Sequence, residues 1–269
     1  MRYTLIAVFS IVLPLSAESF RPLKTQSSKT LTAGELELDV AIDYRHDINF
    51  PFDFLVLGMP DREEFSIPRI ELDVGIAENL ELQFVYEYLS IDESGPLRSV
   101  AGVTTELKQQ SGSGDARFFT KWRFLDQEGW LPDLALRMGA KLPNADNKKR
   151  LGTDKADIFL DLIIGRHYEK FSTSFNIGIG VLDNPRLVGP PQDDVMTYGV
   201  AIIYKVTEKF DIAGEVNGVV SDDSLNELST LMGAFRYHWK SLRFYVGLST
   251  GLVDRSEDVG AVVGVTWMK

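Results

Sequence analysis

The chain has 269 residues, a formal net charge of −11 and no cysteine. The acid excess argues against nucleic acid as a partner. The lack of thiols excludes a disulfide scaffold, a thiolate metal site and a cysteine nucleophile.

The first stretch, MRYTLIAVFSIVLPLSA, has Arg2 at its start, an apolar core from Tyr3 to Leu15, and small residues at Ser16 and Ala17. This predicts a secretory signal peptide over residues 1–17, cleaved after Ala17. Its core is too short to cross a bilayer as a helix, which takes about 20 apolar residues. Residues 18–33 are polar and aperiodic and read as a flexible periplasmic N-terminal segment.

From residue 34 to residue 269 the chain alternates apolar and polar side chains. In RIELDVGIAENLELQFVYEYL, Ile70, Leu72, Val74 and Ile76 alternate with Arg69, Glu71 and Asp73, and Leu80, Leu82, Phe84 and Tyr86 alternate with Glu81, Gln83 and Glu87. A period of two is the mark of a strand with two unlike faces. About twelve such strands are predicted, near 34–45, 67–76, 80–90, 114–125, 132–142, 155–166, 171–182, 195–206, 209–220, 227–238, 242–253 and 257–268.

These strands are long. Soluble strands average about 5–6 residues, whereas a strand crossing a bilayer needs about 9–11. Tight turns at 78–79, 167–170, 207–209 and 240–241 alternate with long connections at 46–66, 91–113, 143–154 and 183–194. Short inner turns and longer outer loops are the outer-membrane barrel pattern. Apolar-face aromatics fall near strand ends: Trp122, Phe124, Phe171, Tyr204, Phe210, Trp239 and Trp267 on one rim, Tyr44, Tyr86, Tyr88 and Tyr198 on the other. Ring systems favour the membrane interface, so two girdles are expected. The expected fold is all-β, a closed antiparallel transmembrane barrel over residues 34–269. Its partners are outer-membrane lipid, the barrel-assembly machinery and a small-molecule solute.

In such a barrel the apolar face meets lipid and the charged face lines the lumen. Glu35, Glu37, Asp39, Asp43, Glu71, Asp73, Glu81 and Glu87 then form a mostly acidic wall, and Arg117, Lys121, Arg123, Arg137 and Lys141 a mostly basic one. Two readings are open. The walls could set a transverse field across a channel, or they could pair across the interior and fill a narrow barrel. Gly178, Gly180, Gly260 and Gly264 face inward in the same register, leaving room in the lumen or relieving a bend.

One outer connection, INFPFDFLVLGMP (48–60), is strongly apolar. Phe50, Phe52, Phe54, Leu55, Leu57 and Met59 would be costly to leave in water. They are expected either to cap the barrel mouth and capture apolar solutes or to pack on the rim.

SGDARFFTKWRF (113–124) and LALRMGAKLPNADNKKRLGTDKADIFLDLIIG (134–165) resemble the family of meta-pathway phenol-degradation outer-membrane proteins and related barrels. The likeness lies in a Gly-Asp-opened strand, a strand ending in Lys-Leu-Pro, a polar loop, and Gly-Thr-x-Lys-Ala-Asp before the next strand. It implies an outer-membrane barrel passing small hydrophobic or aromatic compounds, and it supplies no catalytic residues.

No enzyme, cofactor or metal is expected. The histidines are His46, His167 and His238, and no Gly-x-Ser-x-Gly elbow is present. His46 with Ser66 is the one pairing considered for hydrolysis. Asp146, Asp154 and Asp157 lack EF-hand spacing and sit among lysines. The leading function is passive or facilitated passage of small molecules through a porin-like barrel in the outer membrane. The alternative is a non-conducting structural barrel whose lumen is plugged by charged side chains.

Overall fold

The computed structural model describes residues 21–48, 61–94, 98–100, 103–105, 109–149, 151–183, 194–221 and 227–269. The predicted signal peptide (1–17) and the apolar residues 50–59 expected to cap the mouth or pack on the rim lie outside the described residues, as do Glu18 to Phe20.

The described residues form fifteen strands: β1 (Leu36–His46), β2 (Asp61–Ala77), β3 (Leu80–Ser94), β4 (Arg98–Val100), β5 (Val103–Thr105), β6 (Gln110–Ser113), β7 (Arg117–Leu125), β8 (Asp133–Lys141), β9 (Asp157–His167), β10 (Phe171–Val181), β11 (Val195–Lys205), β12 (Phe210–Val220), β13 (Leu228–Trp239), β14 (Leu242–Gly251) and β15 (Val259–Met268). Twelve of these close a ring of antiparallel neighbours, with β1 bonded to β2 on one side and to β15 on the other. The expected closed barrel is therefore what the chain forms. β6 extends it: β3 pairs with β7 over Leu80–Val85 and with β6 over Tyr88–Ile91, so β6 and β7 lie end to end along one neighbour. β4 and β5 make a separate two-stranded ribbon.

The faces divide as lipid requires. Outward residues stay exposed, with Ile158 at 61 %, Ile202 at 53 %, Phe235 at 71 % and Leu248 at 65 %. Leaving such side chains uncovered forfeits about 1.5–3 kcal/mol each relative to burial, and many share one continuous outer surface. Both sets of predicted rim aromatics lie on the strands, and Trp122, Phe124, Phe210 and Trp239 are exposed outward. Tyr198 crosses Gly218 on the outer face to reach Ser229 Oγ at 2.6 Å.

Two strands run further than expected. β2 begins at Asp61, not near 67, and β3 continues to Ser94, not to 90. The cause is a one-residue bulge. Arg69 opposes Ala41 and Glu87, while Ser66 opposes Asp43 and Leu89. Two residues, Ile67 and Pro68, thus stand where a regular strand has one. A bulge tolerates the missing proline N–H. It also breaks the alternation, so Ser66 and Arg69 both face the bore.

The loop between β8 and β9 folds inward at the long-loop end. Leu151 and Ala145 pack on Leu89 and Ile91 of β3. Asp115 anchors it: its Oδ1 accepts N–H bonds from Asn144 at 3.1 Å and Ala145 at 2.9 Å. Asn144 returns the contact, its Oδ1 accepting from Ala116 N at 2.8 Å and its Nδ2 donating to Gly114 O at 2.9 Å. The Gly-Asp and Lys-Leu-Pro-Asn stretches are therefore two halves of one brace.

Candidate functional site in the bore

Ten of the thirteen charged residues expected to line the lumen are buried in the structure. Glu37, Asp39, Asp43, Glu71, Asp73, Glu81, Glu87, Lys121, Arg137 and Lys141 are buried on the inner wall. Three others sit at its edges. Glu35 lies outside β1, in the turn below it, where its carboxylate accepts from Thr32 N at 2.7 Å. Arg117 is at the long-loop mouth, with a side chain 42 % exposed and 2.9 Å from Glu87. Arg123 is at the opposite rim, where it bonds Glu78 O at 3.0 Å and pairs with Asp126 at 2.5 Å.

The charges do not face one another across the bore as expected. They pair sideways, between neighbouring strands. Lys121 meets Glu81 at 2.9 Å, Arg137 meets Asp161 at 3.2 Å and Lys141 meets Asp157 at 2.5 Å. Each of these is also a register pair, as is Arg236 with Asp211. Arg69 bonds Asp43 on the adjoining strand at 3.1 Å. An ion pair lying in the wall neutralises itself locally, so these pairs build no transverse field. Register explains the geometry: directly opposed residues on adjacent strands bring their side chains within about 4.5–5.5 Å, closer than any residue on the far wall.

The centre of the bore is occupied instead by residues 21–33, the segment expected to be flexible. They rise from Gly34 at the short-turn end, and their partners come from strands all round the ring. Glu215 on β12 accepts three successive backbone N–H groups, from Leu23 at 3.1 Å, Lys24 at 2.8 Å and Thr25 at 3.2 Å. Asn176 on β10 reads both backbone groups of Gln26, accepting from its N–H at 2.6 Å and donating to its carbonyl at 2.9 Å. Glu81 accepts Leu31 N at 2.9 Å. Arg21 is paired with both Glu71 and Asp73 of β2, and its carbonyl accepts from Arg236 at 2.6 Å. Lys29 lies 3.1 Å from the carboxylate of Asp133. Leu23 supplies the apolar anchor, packed on Ala41, Met232, Ala234, Tyr245 and Val262.

Glycines on the wall make the space. A Cβ on Gly75 would stand 1.9 Å from Thr32 O, and one on Gly165 would stand 1.9 Å from Ser28 Oγ. The inward glycines picked out from the sequence do leave room, but wall side chains fill it. A Cβ on Gly264 would meet the Tyr245 ring at 2.4 Å, and one on Gly180 the Phe159 ring at 2.9 Å. A small cavity of about 10 Å³, roughly room for one water, lies between Arg21, Leu23, Arg236, Arg243 and Tyr245.

Sequence reading missed two inner groups. The first is the 21–33 segment itself, whose signal is three cations, Arg21, Lys24 and Lys29, spaced among small polar residues ahead of an acidic wall. The second is Phe119, which faces inward beneath the Arg137 guanidinium, 3.3 Å from its ring centroid.

The histidines do not assemble a relay among the described residues. Ser66 donates to Glu87 at 3.1 Å, and His46 lies 3.5 Å from Glu63. His167 comes near both Ser28, at 3.3 Å, and Asp133, at 3.5 Å, but through the same Nε2. A base needs one ring nitrogen for the hydroxyl and the other for the carboxylate. His238 Nε2 is 2.5 Å from Asp211. No group of metal-ligating side chains occurs among the described residues. Asp157 binds Lys141, and Asp146 caps the Lys148 N–H at 3.0 Å.

No family model matches the sequence, and no curated protein does. Among solved structures, an outer-membrane channel from Pseudomonas putida F1 superposes with a TM-score of 0.68 at 14 % identity, over 90 % of this chain and 98 % of the other. The chain folds as an outer-membrane-type β-barrel. A toluene transporter of Ralstonia pickettii matches at a TM-score of 0.45 and 9 % identity, over 88 % of this chain and 90 % of the other. The outer-membrane phospholipase A of Escherichia coli matches at 0.46 and 12 %, over 93 % and 94 %. These two likenesses are too loose to carry an argument.

Proposed function

We propose that this chain is an outer-membrane channel for small molecules, shut in this conformation by its own residues 21–33. The observation that carries the reading is how the segment is held. It is no part of the sheet: wall side chains grip it, chiefly through polar contacts and one leucine, so it can leave without breaking the barrel. Export by a signal cleaved after Ala17 and insertion by the barrel-assembly machinery belong to the same proposal. The mature chain would then begin at Glu18.

Passage of hydrophobic or aromatic solutes is the finer part of the proposal. It draws on the resemblance to phenol-degradation barrels and on residues 50–59, since the described bore is lined mainly by charge, hydroxyls and glycine. Deleting 50–59 should lower uptake of an aromatic compound, and unchanged uptake rejects a capture role. No catalytic step enters the proposal.

The filled bore also favours a second reading, a non-conducting structural barrel. Single-channel recording in planar bilayers separates the two. The first expects small or rare openings from the whole chain and large steady ones once residues 18–33 are removed. Silence from both proteins, with each shown to be folded by heat-modifiable gel mobility, supports the second.

A further inference from the structure

We infer that the inner wall is a binding site for an extended basic peptide, and that residues 21–33 are its tethered occupant. The inference rests on reading the segment as removable, and it does not require the barrel to conduct.

The contacts show what the wall recognises. Two carboxylates, Glu215 and Glu81, accept backbone N–H groups, and the Asn176 amide bonds the N–H and carbonyl of one residue. These contacts read an extended main chain and ignore its side chains. A second set reads charge. Among the described residues, the ion pairs made by Glu71 and Asp73 are those with Arg21, and Asp133 receives Lys29. A third feature is close approach, the missing side chains of Gly165 and Gly199 letting Ser28 and Thr25 lie against the wall. Emptied of its occupant, the wall would present Glu71, Asp73 and Glu215 without the Arg21 guanidinium and the three N–H groups they now hold, while Asp133 would keep the Gln127 N–H and lose Lys29. Buried carboxylates in that state attract a replacement. The ligand class that fits is a linear chain carrying N–H donors, small side chains and well-spaced positive charges. It would arrive from the short-turn side, where Gly34 marks the way in.

The test uses the barrel without residues 18–33, its folding confirmed by heat-modifiable mobility. The probe is a fluorescein-labelled peptide, RPLKTQSSKTLTA, followed by anisotropy. Saturable binding to the emptied barrel is expected, with none to the intact chain. Affinity should fall about tenfold or more when Arg21, Lys24 and Lys29 of the peptide are replaced by Gln, or when Glu215→Gln is made in the wall. If truncation blocks assembly, a protease site between the exposed Ala33 and Gly34 can be cut after folding and the segment washed out in high salt. No saturable binding, equal binding of the neutralised peptide, or equal binding to the intact chain overturns the inference. Binding without conductance would sink the channel and keep the site; conductance without binding would do the reverse.

Discussion

Gly165 has no side chain, and Ser28 lies where one would be. Adding bulk there should push the segment out while leaving the lipid-facing surface untouched. Overpacking of this kind costs about 1–3 kcal/mol, roughly a five- to 150-fold shift in the displaced population. Because the chain lacks cysteine, Ser27→Cys gives a single thiol at a buried position. Its labelling by a water-soluble maleimide should be slow in the parent and faster by that factor with Gly165→Val. Unchanged labelling would mean that the glycine is incidental. The segment's placement was not legible at this scale. Thr25, Gln26 and Ser27 have the composition of a solvated tail, and what distinguishes them is Glu215 and Asn176, some 150 to 190 residues further along.

The bulge shows what alternation does and does not tell about a strand. Strict period two predicted β2 from 67 onward. Pro68 hid the six residues before it, because the pattern resumes one step out of phase. Deleting Pro68 should therefore be tolerated, since it restores one residue where two now stand and leaves Arg62, Glu64 and Ser66 facing inward. Deleting Leu72 should not be tolerated. It turns part of β2 over and sends charge into hydrocarbon, at about 2–4 kcal/mol for a basic residue at the midplane and less for an acid. Heat-modifiable mobility of the two deletions checks the contrast. The brace at the long-loop end yields to a similar test. Asp115→Ala leaves the Asn144 and Ala145 N–H groups without their acceptor, at roughly 1–3 kcal/mol for each that stays buried. Trypsin should then cut faster at Lys148 and Lys149, with the barrel still folded. The motifs of this brace were legible as a resemblance; that Asp115 and Asn144 clasp each other was not, because the contact spans two loops.

For the molecule as a whole, the architecture was legible because one rule governs twelve strands. Outward positions are apolar and inward ones polar, and a slip of one residue reverses both. Ile202, outward on β11, tests the environment that this surface demands. Ile202→Arg should lower stability by about 2–4 kcal/mol in lipid vesicles near the bilayer midplane, read from the urea midpoint of folding. A negligible change would place the barrel exterior in water. The direction of the ion pairs could not be had from composition. Whether Arg137 meets Asp161 beside it or an acid on the far wall depends on register, and twelve registers must be known before the bore has a cross-section.

The groove that receives residues 21–33 is assembled from β2, β3, β8, β10 and β12, among others, so it does not exist until nearly the whole ring has been laid down. A segment that precedes every strand in the chain must wait for strands near its far end. If the barrel is the channel proposed above, a newly inserted ring would leak until this segment is tucked in.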